Sequence, residues 1–313
     1  MRRDIDEDVR AAFEALSRDG VVRPVALGSS EEQLFADCDL ASLAENWLGE
    51  RRDPRGLDAQ TRARWKDTAT DEDSRLPGER SYERCFWLVH EGEIAGTVSA
   101  LDSTWGSARA YLASVYLMPH LRGRGVGASS MRAIRDALFA REVGVRLDTS
   151  WLWQPAVRFY LQLGMWCWSW KRTLSFRWDP GVPPPLVEVD GARASFSLER
   201  AGVRHRLLDA SHDGTFLTLT ERHVDDDAVR RLAHDAQTAF VAHLASRGWP
   251  LVRGPAEFER YRGSDLFHPE ALADRLEVWE AYAADRGWRV ETPRIPWLRY
   301  PSWGALQDAW KQR

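Results

Sequence analysis

The chain has little cysteine: three residues in 313, Cys38, Cys85 and Cys167, far apart and at no metal-ligand spacing. That pattern excludes a disulfide-stapled scaffold and a zinc module, calls for no bound metal, and points to a reducing, cytoplasmic setting. It also has no apolar run of membrane-spanning length, and its first residues, Met-Arg-Arg-Asp-Ile-Asp-Glu-Asp, lack the apolar centre of a signal peptide, so no membrane association is expected. Nor is there an excess of charge of one sign. The 43 Lys and Arg against 47 Asp and Glu give a net charge of −4, without the general basic field that draws a protein to nucleic acid. Eight histidines are scattered; His205, His212 and His223 share one stretch but have too little acid beside them for a metal site.

Tryptophan is abundant: 16 residues, six of them between Trp151 and Trp178. Trp166, Trp168 and Trp170 alternate, which places them on one face of a strand. Such a face is read first as a surface buried against a helix or a second domain. An aromatic wall for a flat or cationic ligand is the alternative.

The most telling residues are Arg122-Gly123-Arg124-Gly125-Val126-Gly127. Before them runs Tyr111-Leu-Ala-Ser-Val-Tyr-Leu117, closed by Met118-Pro119. After them Gly127, Met131, Ile134 and Leu138 recur at three or four, the spacing of a helix. A strand feeding a glycine turn that opens a helix presents unpaired N–H groups at the positive end of the helix dipole, a natural seat for phosphate. No Lys-Ser/Thr follows, so this is not a P-loop, and the third glycine spacing is wrong for a dinucleotide fingerprint.

The segment resembles the pyrophosphate-binding turn Arg/Gln-x-x-Gly-x-Gly/Ala of the GCN5-related N-acetyltransferases (GNAT), through Arg122, Gly125 and Gly127. A second motif agrees: after a short strand at 145–149, Ala156, Tyr160 and Gly164 fall in register with the family's Asn-x-x-Ala-x-x-x-Tyr-x-x-x-Gly-Phe. Trp153 stands where Asn is usual, which removes a polar contact near the cofactor arm, and Met165 replaces Phe as an apolar plug. The resemblance covers roughly residues 20–178 and implies an α/β fold, a mixed sheet flanked by helices. The apolar stretches fit that order: a strand at 21–27, a helix at 31–48, a hairpin of 85–90 and 94–101 about Glu91-Gly92-Glu93, the strand at 111–117, the helix after Gly127, and one long strand at 166–178.

The resemblance also implies an acetyl-CoA-dependent N-acetyltransferase whose acceptor is an amine of a small molecule or a protein. Coenzyme A would run its arm along Val115, Leu117 and Met118 and seat its pyrophosphate on Arg122, Gly123, Arg124, Gly125, Val126, Gly127 and Ala128. The Arg122 side chain would either touch phosphate or cover the turn. Tyr160 would protonate the departing thiolate. No acid occupies the strand at 111–117 where many relatives carry Glu; Asp102, His120 and Asp148 are candidates for a base by position alone. Two other readings stay open: an acyltransferase acting on aminoacyl-tRNA, which the overall charge argues against, and a non-catalytic acyl-CoA-binding regulatory module.

Residues 1–178 are thus expected to form one domain. Asp179-Pro180-Gly181-Val182-Pro183-Pro184-Pro185 is a stiff linker, and residues 186–313 form a second α+β domain of unassigned role. Within that domain strands are expected at 186–198 and 203–220, with a turn at Asp213-Gly214, and helices at 228–246, at 269–286 and after Ser302. This region carries Trp249, Trp279, Trp288, Trp297, Trp303 and Trp310, and is expected to dock on the first domain, burying part of the Trp166/Trp168/Trp170 face or walling the acceptor side of the cleft.

Overall fold

The computed structural model describes residues 6–48, 50–66, 84–102, 108–150, 153–170, 173–214, 217–226, 229 and 233–249. The expected helices at 269–286 and after Ser302, and Trp279 to Trp310, lie outside the described residues. The chain divides into two compact units: residues up to Asp148 together with 177–181, and Thr149–Phe176 together with the chain from Val182 onward.

In the first unit, helix α1 (Glu7–Arg18) precedes strand β1 (Val22–Pro24), helices α2 (Ser30–Leu48) and α3 (Ala59–Lys66), strands β2 (Arg84–His90), β3 (Glu93–Asp102) and β4 (Ala108–Leu117), helix α4 (Val126–Phe139) and strand β5 (Gly144–Ser150). Strand β1 pairs antiparallel with β2, β2 with β3 and β3 with β4, whereas β4 and β5 run parallel. The sheet is therefore mixed, with helices against it.

Helix α1 was not anticipated, although its signal is present. Val9, Ala12, Phe13 and Leu16 recur at three and four and are all buried, each large apolar side chain contributing roughly 1.5–3 kcal/mol. Asp6 caps its first turn by accepting from the N–H of Asp8, and Arg109 of β4 clamps both carboxylates. Phe13 stacks on Phe86, with ring centroids 4.6 Å apart.

A second cluster lies under α2: Phe35, Cys38, Leu40, Ala41 and Ala44 pack with Trp65, Trp87, Tyr116 and Met118. The fully buried Trp87 satisfies its indole N–H by donating to Glu31 at 3.0 Å. Strands β3 and β4 approach so closely at Gly96 that a Cβ there would lie 2.0 Å from the carbonyl oxygen of Tyr116. Only glycine fits that position.

In the second unit, helix α5 (Gln154–Gln162) leads into strands β6 (Trp166–Trp170) and β7 (Thr173–Trp178), which replace the single strand expected at 166–178. The apolar alternation of Trp166, Trp168, Trp170, Leu174, Phe176 and Trp178 stays in phase across both strands and is interrupted only at Arg172, the one signal in the sequence for two strands rather than one. The strands expected at 186–198 and 203–220 are likewise two hairpins: β8 (Leu186–Asp190) with β9 (Arg193–Arg200), and β10 (Val203–His212) with β11 (Leu217–Glu221). All four form one antiparallel sheet in the order β11-β10-β9-β8, with the Asp213-Gly214 turn where expected. Helix α6 (Ala233–Ser246) packs on β6, α5 and β10.

Trp166 is buried in this unit. It meets Phe196 of β9 edge-on at 5.6 Å and donates its indole N–H to the Pro183 carbonyl at 2.8 Å, while Phe196 in turn meets Phe240 of α6. The side chains of Trp168 and Trp170 lie outside the described residues.

Candidate functional site

Strand β4 owes its position to β3, which pairs with it from Asp102↔Ala110 to Gly96↔Leu117. A bulge interrupts that ladder: Ser99 pairs with Ser114 and Ala100 with Leu112, leaving Ala113 unopposed. On its other edge β4 pairs with β5 only from Ala108↔Gly144 to Tyr111↔Arg146. The strand then runs on to Leu117 without that partner, so the two parallel strands fork. An unpaired strand edge offers backbone N–H and C=O groups to a ligand of extended shape. Val115 and Leu117 lie half-buried along this open stretch.

Met118 follows the last residue of the strand. Its side chain is fully buried in the cluster under α2, its N–H donates to the Ala95 carbonyl at 2.9 Å, and its own carbonyl accepts from Leu121 at 3.0 Å. Its contribution to any site is to anchor the end of β4.

A short 3-10 turn, Pro119–Leu121, leads to Arg122. Gly123 and Gly125 then take left-handed conformations, with φ of 74° and 81°. Gly125 is the N-cap of α4 and leaves the helix end without a side-chain cap. The first bond of the helix runs from the N–H of Ser129 to the Gly125 carbonyl at 2.9 Å, so the N–H groups of Val126, Gly127 and Ala128 precede the intrahelical ladder. No atom lies within 4 Å of where a Cβ on Gly123 or Gly125 would stand. Open space, three forward-pointing donors and the helix dipole coincide here, with Arg124 exposed beside them.

The Arg122 side chain is engaged in holding the turn. Its Nε donates to the Leu117 carbonyl at 2.9 Å, its Nη1 to both carboxylate oxygens of Glu45 on α2, and its guanidinium lies 5.1 Å from the centre of the Tyr116 ring. Burial by itself would push the Glu45 carboxyl up, but the hydrogen bonds and charge of Arg122, joined by Arg51, outweigh it and hold that carboxyl below the usual range. Glu45 lies 77 residues before Arg122, and nothing in the sequence linked them.

Of the three candidate bases, Asp102 ends β3, with its side chain outside the described residues. His120 is exposed on the 3-10 turn, its Nδ1 3.5 Å from Arg55. Asp148 lies on β5, paired with Arg146 at 3.0 Å and accepting from the Tyr111 hydroxyl at 3.4 Å. A further carboxylate escaped the sequence reading: Asp39 of α2 is buried and accepts the hydroxyl hydrogen bond of Ser114 on β4.

Tyr160 belongs to the second unit. It lies on α5, buried, with its ring 5.4 Å from Phe159 and 5.2 Å from Phe176. Burial pushes its phenol well above the ordinary value. Trp153 forms the N-cap of the same helix without a side-chain cap bond, where an Asn would supply one.

Residues 47–165 match the family model described as Acetyltransferase (GNAT) family. The chain carries a GNAT acetyltransferase domain. Solved structures similar to it include the PaiA N-acetyltransferase from Thermoplasma acidophilum in complex with coenzyme A, at 12% identity over 50% of this chain and 97% of that one, with a TM-score of 0.36. Others are an aminoglycoside 6'-N-acetyltransferase complexed with coenzyme A (12%, 51% and 96%, TM-score 0.35) and the RimL ribosomal L7/L12 alpha-N-protein acetyltransferase in complex with coenzyme A (15%, 51% and 98%, TM-score 0.34). At these scores they add no argument to the family match. No curated protein matches the chain. No helix among the described residues is long and apolar enough to cross a membrane.

Proposed function

We propose that this GNAT domain transfers an acetyl group from acetyl-CoA, the usual cosubstrate of the family, to an amine of a small molecule or a protein. One observation carries the reading. The edge of β4 that loses its β5 partner after Tyr111 leads directly to the uncapped, glycine-lined start of α4. An extended arm and a pyrophosphate need these two features in this order. Residues 122–128 would hold the pyrophosphate, chiefly through backbone N–H groups, and the stretch ending at Val115 and Leu117 would hold the arm through backbone hydrogen bonds.

The chemistry needs no metal. A neutral amine held against the thioester attacks its carbonyl carbon, and an acid supplies a proton to the departing thiolate. Tyr160 would be that acid. The phenol carries its proton at neutral pH, and because burial makes it a weaker acid still, it would give the proton up only to the charge that develops on sulfur as the carbon–sulfur bond breaks. The same burial favours, as a second reading, a domain that binds acyl-CoA without turning it over. Thiol release in a panel of primary amines separates the two.

Calorimetric titration with acetyl-CoA tests the site. Gly125→Val should abolish binding, because a branched side chain at φ 81° strains the turn and fills the space before the free N–H groups. Unchanged affinity in a folded variant would place the cofactor elsewhere.

A further inference from the structure

Tyr111 and Arg146 form the last pair before β4 and β5 part, and the side chains at that closed end make one connected cluster. The Arg146 guanidinium bonds Asp148 through Nε at 3.3 Å and Nη2 at 3.0 Å, and lies 5.9 Å from the centre of the Tyr111 ring. The Tyr111 hydroxyl donates to Asp148 Oδ2 at 3.4 Å, the oxygen that also accepts from Arg146 Nη2. Arg146 is largely buried, with 12% of its side chain exposed, while Asp148 keeps 23%. The cation is thus enclosed and the carboxylate is the member that solvent or a ligand can reach. From Tyr111 to Leu117 the strand advances about 20 Å, comparable to an extended pantetheine arm. A cosubstrate whose pyrophosphate sits on residues 122–128 therefore brings its thioester to this end of the fork.

We infer that Asp148 is the proton acceptor for the attacking amine, and that Tyr111 and Arg146 are positioning residues for its carboxylate. The inference rests on the acetyltransferase reading above. In the step, the amine nitrogen bonds to the thioester carbonyl carbon, the carbon–sulfur bond breaks, the nitrogen's proton passes to Asp148 Oδ, and the sulfur leaves as thiolate to be protonated in turn. The proton on Asp148 then returns to solvent. A weak base suffices, because the nitrogen becomes strongly acidic once its bond to carbon forms. Two hydrogen-bond donors that hold the carboxylate in place are therefore compatible with the role. This places the acid on β5 rather than on β4, whose described residues contain none.

The test uses the full chain and begins with calorimetry, which asks whether acetyl-CoA binds at all; failure there removes the acetyltransferase reading and this assignment with it. With binding intact, Asp148→Asn should leave acetyl-CoA affinity within about twofold and lower kcat on an amine substrate by roughly 10²–10⁴-fold. Added formate should partly restore turnover in Asp148→Ala. Asp148→Glu, which retains the charge beside Arg146 but displaces the oxygens, should lose less than Asp148→Asn; if the Asn variant does not fold, Asp148→Ala with and without formate decides the matter. In the ligand-free protein, Tyr111→Phe and Asp148→Asn should shift the urea midpoint by less together than the sum of their separate shifts. Native kcat in Asp148→Asn, or in Asp148→Ala without formate where the Asn variant does not fold, with acetyl-CoA affinity retained, or the absence of turnover with every primary amine despite acetyl-CoA binding, would overturn the assignment.

Discussion

The role of Arg122 separates two designs for the phosphate turn, one in which it holds the turn and one in which it touches phosphate, and its contacts favour the first. Its guanidinium is shared between the Leu117 carbonyl, Glu45 and the Tyr116 ring. Side-chain exposures of 27% for Arg122 and 20% for Glu45 put the pair between a surface ion pair and a buried one. Arg122→Ala removes the bidentate pair but leaves Glu45 with Arg51, bonded at 2.9 and 2.7 Å, so the remaining charge is not stranded. A loss of about 1–2 kcal/mol in folding stability is expected, above the surface median and below the cost of a fully buried, uncompensated charge. Glu45→Ala should cost a similar amount, and a double-mutant cycle should recover a coupling of about 1 kcal/mol. The functional consequence follows from geometry. Glu45 never reaches the turn itself, yet without it Arg122 loses the partner that fixes it. Acetyl-CoA affinity should therefore fall on the order of 3–10-fold in Glu45→Ala as well as in Arg122→Ala, a loss of up to about 1.4 kcal/mol. Denaturant unfolding and calorimetry on the four proteins of the cycle provide the numbers. If Glu45→Ala binds acetyl-CoA as well as or better than the native protein while Arg122→Ala loses more than tenfold, Arg122 contacts phosphate directly and the latch is incidental.

Three further outcomes are expected. Tyr160→Phe should lower kcat roughly 10²–10⁴-fold with little change in the KM for acetyl-CoA, because the ring still packs on Phe176; near-native turnover would make Tyr160 a packing residue. Ending the chain at Asp179 removes Pro183, Phe196 and Phe240 and so strips the cover from Trp166; the fragment should aggregate or lose acceptor turnover, and a soluble fragment with full-length activity would contradict this. His243 is buried with its Nε2 unpartnered, and burial, aided by Arg247, lowers its pKa from 6.5 to about 3. Above pH 6.5 it is neutral whether folded or unfolded. Below that the unfolded chain takes up a proton the folded chain refuses, so stability should fall by about 1.4 kcal/mol per pH unit, roughly 2 kcal/mol by pH 5. Replacing His243 with Leu should remove that part of the acid sensitivity in urea unfolding measured across this range, and an unchanged slope would show that His243 is solvated.

The part of the site legible in the sequence is the part built from adjacent residues. An apolar strand, two glycines at positive φ and a helix with Met131, Ile134 and Leu138 on one face follow each other without interruption, and local rules are enough to order them. The motif residues Ala156, Tyr160 and Gly164 were legible for the same reason: one helix carries the first two a turn apart, and the glycine ends it at positive φ. Helix α1 shows that a legible pattern can be passed over when charged residues surround it, since only burial against α4 reveals which face of Glu7–Arg18 matters.

Distance along the chain is what sequence rules could not bridge. Whether Arg122 meets a phosphate or Glu45 depends on α2 lying beside the end of β4, and the cluster of Tyr111, Arg146 and Asp148 exists only because two parallel strands pair there and then part. Even periodicity fails where it does not change. The apolar alternation from Trp166 to Trp178 keeps its phase across β6 and β7, and a single Arg172 in it does not by itself tell one strand from two. The sequence by itself determined the local shape that can hold a phosphate, because backbone conformation is set by neighbours. The tertiary structure decided which charges face one another around it, because side-chain pairing is set by packing between segments far apart in the chain.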